Sequence, residues 1–367
     1  MTPQPDWHKP QPEQLPQPTY APLIMALGLM FLLWGAVTHW IVSAAGLAVI
    51  AVASALWISD LHYGPKPDVS KRRLETHLVQ PALVRAAAAK HTVAFVTTRA
   101  LHRYAILLAA VSLMVVITGA VVTSSGPSAP SALIGGAHLA AAGLVALLTL
   151  GLVISFYRID APQRIRRMGL GMIAALLAQA ALGGQAPAVS VLHAFLAQIF
   201  FAATVAVAVI TSNTWQQIPE TLEDSGFSLR ILAIMDVALI VIQVALGAAV
   251  RHNVIGPMIH IFAALIVALF LMLLGIMLIN KWPEHPVLRP AAMAMMAITG
   301  VQVFLGFTTF IIKLVGEENS LPMMVSSVAH VTTGALTLAS TTVVALQVHR
   351  NVHRADAQRR ESPTVAT

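Results

Sequence analysis

Four histidines lie inside long apolar runs of this sequence, and they are the residues best placed to do chemistry: His138, His193, His260 and His330. Such runs are typical of membrane-spanning helices, where an ionisable side chain is a candidate functional residue. Imidazole can bind a metal, carry a proton or form a hydrogen bond. The other ten of the 14 histidines fall in the N-terminal head, in predicted loops or at helix ends, and need no special explanation.

The four histidines share one predicted depth. Each lies four to eight residues after the start of a helix that runs from outside to inside, or about 6 to 12 Å below the outer boundary. Packing or a proton relay is the usual reason for a single buried histidine, but four at one depth favour two bis-imidazole heme sites. Zinc is less favoured, because all four imidazoles would have to converge and carboxylates would be needed around them.

The composition requires a membrane protein to position these residues. The 367 residues are 57% hydrophobic and 10% charged, with a mean hydropathy of +0.78, whereas soluble proteins carry about 25% charged residues. The length leaves room for about ten transmembrane helices. The sequence has no cysteine, which excludes disulfides and thiolate-bound metal centres.

The basic residues fall almost wholly on one side of the predicted topology. With the N terminus inside, the inner segments carry 20 of the 22 Lys and Arg residues, and the outer segments hold only Arg251 and Lys313. An excess of Lys and Arg in cytoplasmic loops sets orientation. We therefore expect a multi-pass protein of the inner (plasma) membrane with both termini in the cytoplasm. The net charge of +7 then reflects topology, and nucleic acid is not an expected partner.

A short motif recurs along the predicted helices. Gln-x-x-Leu-Gly occupies 179–183, 243–247 and 302–306, and Gly119 keeps the glycine alone at a fourth matching place. Because each unit of four helices makes an even number of crossings, its two copies form a parallel repeat. The predicted fold class is an all-α polytopic membrane protein with two tandem four-helix bundles and an N-terminal transmembrane hairpin.

The predicted domain organisation follows from these patterns. A proline-rich head without a signal-peptide layout is expected to be disordered. The predicted segments are the head 1–22, a transmembrane hairpin 23–59, a basic cytoplasmic linker 60–100, a first four-helix heme domain 101–212, a second four-helix heme domain 213–348 and a cytoplasmic tail 349–367.

Several segments resemble the heme A synthase family, which completes the heme of cytochrome oxidase. The resemblance covers residues 100–348 and includes one histidine on every second helix. It is carried by Gly119-Ala-Val-Val-Thr-Ser-Ser-Gly126, Ile134-Gly-Gly-Ala-His138, His193-Ala-Phe-Leu-Ala-Gln-Ile-Phe-Phe201, Gly247-Ala-Ala-Val-Arg-His252 and His330-Val-Thr-Thr-Gly334.

The resemblance implies oxidation of the C8 methyl group of heme O to a formyl group, which gives heme A. It implies that His138 and His193 hold the substrate heme, and that His260 and His330 hold a heme b. Arg251 matches a family position and is expected to pair with heme propionates, since a guanidinium suits carboxylates. A snorkelling interface arginine is the alternative. The implied partners are heme O synthase or the cytochrome oxidase assembly machinery, besides membrane lipid; the electron donor is not implied.

The sequence departs from the family pattern near the first histidine. The family usually has a glutamate three residues before it and an arginine just after it, but these places hold Gly135 and Leu139. The catalytic residue is therefore not identified. A heme-binding assembly or electron-transfer protein without methyl oxidation is the alternative function. A transporter built on the parallel repeat is a weaker one.

Overall fold

The computed structural model describes residues 21–37, 40–63, 98–125, 131–183, 187–217, 221–223, 228–316 and 320–354. The predicted disordered head, except its last two residues, lies outside these ranges, as do most of the predicted linker and the tail after residue 354. The helices are α1 Ala21–Val37, α2 Trp40–Tyr63, α3 Arg99–Ser124, α4 Ser131–Arg158, α5 Gln163–Leu182, α6 Pro187–Ile210, α7 Asn213–Gln217, α8 Leu229–Arg251, α9 Pro257–Lys281, α10 Leu288–Val315 and α11 Leu321–Asn351.

Nine helices of the described part are long and apolar enough to span a membrane: α2 to α6 and α8 to α11. Helix α1 has 17 residues, at the short end of the range of about 17 to 25 that a transmembrane helix needs. A helix satisfies its own backbone groups, which lipid cannot do. Large apolar side chains such as Leu133, Leu147 and Phe304 are exposed and can face lipid. The predicted all-α polytopic membrane protein is confirmed.

The chain forms two compact units, Met1–Ala87 and Ala88–Thr367. In the first, α1 and α2 pack as a tight hairpin whose backbones meet at glycines. A Cβ built on Gly28 would lie 2.8 Å from the backbone nitrogen of Ile50, and one on Gly46 would collide with the backbone of Leu32. The Ser43 hydroxyl donates to the Leu32 carbonyl at 3.0 Å. Small residues thus let the helices approach closely.

The second unit contains two closed rings of four helices. Helix α3 packs on α4 and α6, and α5 completes the first ring between them; α8 packs on α9 and α11, and α10 completes the second. Each ring has its own apolar core. The rings pack together through α3, α6, α8 and α11, with a small shared core of Val116, Phe201, Ala335 and Ala339. The two predicted halves therefore share one compact unit.

A short parallel strand pair ties the connection between the rings to the end of α11. Strand β1, Thr221–Glu223, pairs with β2, Val352–Arg354. Beside it, the Arg350 guanidinium donates to the Trp215 carbonyl at 2.8 Å and lies 5.7 Å from the centre of the Trp215 ring. The hydropathy pattern does not predict this pairing, because both strands are only three residues long.

The hairpin packing is testable at Gly46. We expect Gly46→Leu to separate α1 from α2, because overpacking against rigid backbone costs on the order of 1–3 kcal/mol or more. The measurement is disulfide crosslinking of Leu32→Cys with Ser43→Cys in a chain that has no cysteine of its own. Gly171→Leu is the control, since a Cβ there meets nothing within 4 Å. A crosslink that survives Gly46→Leu would contradict the packing.

Candidate functional site: paired intramembrane histidines

The second ring brings His260 and His330 together at its centre. Helices α9 and α11 are opposite members of the ring, and the two imidazole centres lie 6.2 Å apart with an angle of 87° between their planes. Imidazole nitrogen binds a metal ion at about 2 Å, so two rings on opposite sides of one metal have centres about 6 Å apart. The observed spacing therefore fits a pair of axial ligands.

The first ring also has a histidine on each of two opposite helices, His138 and His193. These residues lie on α4 and α6, which are likewise opposite members of their ring, and they are close enough to interact electrostatically. The structure thus groups the four predicted histidines as two pairs, one in each ring. His260 lies three residues after the first residue of its helix and His330 nine, so the predicted spread of four to eight residues was too narrow.

Each imidazole fits against a glycine of the preceding helix. A Cβ built on Gly119 would lie 3.0 Å from Cε1 of His138, and the corresponding distance is 3.8 Å from Gly183 to His193, 3.0 Å from Gly247 to His260 and 2.8 Å from Gly306 to His330. The recurring glycine of the sequence motif is therefore explained. It leaves room for the imidazole on the next helix. The structural repeat is therefore a pair of helices, and this pair occurs four times.

Hydrogen-bond acceptors orient both imidazoles of the first ring. The Thr118 hydroxyl donates to the Met114 carbonyl at 2.9 Å, so its oxygen is free to accept from His138 Nδ1–H, 3.1 Å away. His193 Nδ1–H donates to the Gln179 carbonyl at 3.2 Å. Assigned from these partners, both Nδ1 atoms carry the proton, which leaves the Nε2 lone pairs available to a metal.

Side-chain amides contact the imidazoles of the second ring. Gln243 Nε2 donates to the His260 carbonyl at 2.9 Å and lies 3.0 Å from His260 Nδ1. Gln302 Nε2 lies 3.4 Å from His330 Nε2. His330 Nδ1 is buried without a hydrogen-bond partner in the described part of the chain. With the ring proton on Nε2 and the Gln302 amide turned so that its unpartnered oxygen accepts that proton, the Nδ1 lone pair is available to a metal.

The residues present fit a heme better than a bare metal ion. Among the described residues, no group of three or more His, Cys, Asp or Glu side chains could hold a metal, whereas a closed zinc site needs four ligands. A porphyrin supplies four nitrogen ligands itself, so its iron needs only one or two from the protein. Paired imidazoles without nearby carboxylates meet that need.

Arg251 and His252 lie between the two pairs at the end of α8. Arg251 donates to the Ser124 hydroxyl and, at 3.3 Å, to the Ala120 carbonyl, both in the first ring, and it interacts electrostatically with His330 in the second. Burial lowers the pKa of the His252 imidazole, and the charge of Arg251 lowers it further. Within the described residues, no carboxylate pairs with this guanidinium, which leaves it able to bind an anion.

The position of the missing family glutamate faces open space. A Cβ built on Gly135 meets nothing within 4 Å, and Leu139 is 72% exposed. In the sequence, Asp160 is the only carboxylate between residues 98 and 217, and its side chain is exposed in a loop beside Arg166. The described residues of the first ring thus offer no carboxyl group beside the histidine pair.

Sequence reasoning missed Thr118 as a site residue and gave the glutamines no role. Thr118 belongs to no recurring motif, so only the fold shows that its hydroxyl meets His138. The recurrence of Gln243 and Gln302 was visible, but their contacts with the next helix were not. The signal that could have found them was the order along the chain, since each histidine-bearing helix directly follows a helix with the recurring glycine.

Comparison with known proteins adds no family to this description. No family model matches the chain, and no curated protein matches it. The fold and the site define the class: a polytopic α-helical membrane protein with two pairs of intramembrane imidazoles.

The glycine contacts can be tested at Gly306. If His260 and His330 hold a heme, we expect Gly306→Val to weaken its binding on the order of 10–100-fold, the usual effect of disturbing a ligand's support. Heme content per protein, measured as the pyridine hemochrome, checks this. Gly300→Val on the same helix is the control, because a Cβ there meets nothing within 4 Å. Equal heme loss in both variants would show that the contact has no specific role.

Proposed function

We propose that this protein is a heme A synthase-like membrane oxidoreductase that converts heme O to heme A by oxidising the C8 methyl group. The observation that supports this proposal most is the pair His260 and His330, whose centres lie 6.2 Å apart in perpendicular planes. Two histidine pairs in one chain fit two hemes, one as substrate and one as a resident cofactor.

In this proposal the first ring holds the substrate. His138 and His193 are its axial ligands, and their Nδ1–H groups are fixed by Thr118 and the Gln179 carbonyl, which orients the imidazoles. The second ring holds a heme b through His260 and His330, and this group supplies one-electron transfer when it is bound.

Arg251 is proposed to bind a heme propionate. Its guanidinium lies between the rings, bonded to Ser124 and within electrostatic range of His330. A guanidinium binds a carboxylate with two parallel hydrogen bonds. Because the same residue touches the first ring and acts on the second, it also fixes the position of one site relative to the other.

The proposed setting is the inner (plasma) membrane, with both termini in the cytoplasm. The distribution of 20 of the 22 basic residues on one side supports this orientation. Heme O is hydrophobic, so delivery from heme O synthase and transfer to the cytochrome oxidase assembly machinery are expected to take place within the membrane.

A second function is a heme-binding assembly or electron-transfer protein without methyl oxidation. It is favoured by one specific observation, the absence of any carboxylate but Asp160 between residues 98 and 217. General acid–base groups contribute on the order of 10²–10⁴-fold to enzymatic rates. Heme binding does not need such a group, because the imidazoles alone supply the ligands.

Product analysis separates these functions. We expect purified protein with heme O, reductant and oxygen to yield porphyrin with the mass of heme A. His138→Ala should abolish the product because it removes a ligand of the substrate, while His260→Ala should remove the b-type optical spectrum as well. Bound b-type heme without any formyl product would favour the second function. A purified protein without any heme spectrum would contradict both and favour a transporter.

Gly135→Glu tests the missing carboxylate directly. The substitution fits sterically, since a Cβ at Gly135 meets nothing within 4 Å. We expect it to raise heme A formation on the order of 10²-fold, the lower end of the range for a positioned acid–base group, at unchanged heme content. Gly136→Glu is the matched control, because that position is equally open but points to another side of α4. Equal rates in both variants would show that a carboxylate at position 135 is not what limits the reaction.

A further inference from the structure

Asp236 is a buried carboxylate whose two oxygens meet no hydrogen-bond donor. Its exposed fraction is 1%, and both Oδ atoms lack a partner within the described residues. Ionisable side chains inside membrane helices are costly and are normally paired with one another or with backbone groups. The hydrogen bond to a neighbouring helix that would make Asp236 a packing residue is not present.

No cation balances Asp236 from the helices around it. Helix α8 packs against α6, α9 and α11, and the structure shows no ion pair between Asp236 and any described residue of these four helices. Their other charged or titratable side chains lie in two groups. Near the end with the paired histidines are His193, Arg251, His260 and His330, and near the opposite end are Arg230, Lys281, His349 and Arg350.

The environment of Asp236 favours a protonated carboxyl. Taking an unpaired ion out of water costs much more than burying the neutral acid, which still lacks hydrogen bonds but carries no net charge. The neighbours on the same face are apolar, since Leu232 and Ala233 are fully buried and Ile240 is 4% exposed. These surroundings therefore favour the neutral acid over the carboxylate.

Asp236 also lies midway between the end of α8 and the second histidine pair. Leu229, the first residue of α8, and Gln243, which contacts His260, are each seven residues away, or about 10 Å along the helix axis. Gln243 lies on the same face of α8 as Asp236. A cavity of about 380 Å³ lies against the other face of α8, where its wall consists of Ile234, Val237 and Ala238, so it does not reach the carboxyl.

We propose that Asp236 is an intramembrane proton-binding site. Its carboxyl holds a proton near neutral pH and exchanges it with water; the proton leaves to a water molecule, the carboxylate remains, and a proton returns from water. This site does not depend on the heme proposal. If that proposal holds, Asp236 lies where it can supply protons toward the second histidine pair.

Carbodiimide labelling of the purified full-length protein tests the protonated state. Dicyclohexylcarbodiimide reacts with a protonated carboxyl in an apolar environment and not with a carboxylate. We expect an adduct on Asp236 in peptide mass spectra and its loss in Asp236→Asn. Asp160 is the internal control, since its side chain is 92% exposed and 3.7 Å from Arg166, and it should stay unlabelled. A wild-type protein that is unlabelled at Asp236 would overturn the proposal.

Infrared spectroscopy tests the exchange of the proton. We expect a carboxylic acid C=O band that shifts in deuterated water and is absent from both Asp236→Asn and Asp236→Leu. The leucine variant guards against misfolding, because it replaces an unsatisfied polar group by an apolar one in an apolar site. A carboxylate band instead, or an acid band that never shifts in deuterated water, would refute the site. These readouts need no heme, so they fail independently of the proposed function.

Discussion

Each intramembrane imidazole of this protein depends on the helix that precedes it in the chain. That helix provides a glycine against which the ring packs and a hydrogen-bonding group for a ring nitrogen or the histidine carbonyl. Lipid supplies neither, and a buried polar ring without partners is costly. The rest of the site follows from this contact, because it fixes where each imidazole lies within its ring of four helices.

Closure of the four-helix rings turns four separate contacts into two pairs. Helices that are next but one in sequence become opposite members of a ring, so their imidazoles meet at its centre, as His260 and His330 do. The two rings then share a core through α3, α6 and α11, and Arg251 crosses between them. The two pairs therefore belong to one compact unit and are not independent of each other.

The two pairs have similar frames but different electronic surroundings. In the first ring the imidazoles donate to a hydroxyl and a backbone carbonyl, which makes them more basic ligands. In the second ring they meet amide groups. Different roles for two similarly built sites are consistent with this contrast. Asp236, whose carboxyl has no partner among the described residues, lies on a helix of the second ring. This is a further difference between the two rings.

The sequence by itself determined the membrane class, the helical fold and the four histidines. Apolar length and composition are enough for these, because lipid imposes one backbone solution on any long apolar segment. The sequence also showed the repeated Gln and Gly positions, but not their use. Only the tertiary structure decided how close His260 lies to His330, that Thr118 holds His138, that Arg251 reaches the first ring and that Asp236 has no partner among the described residues. These facts depend on contacts between helices, and in lipid such contacts are set by close packing and hydrogen bonds that hydropathy does not record.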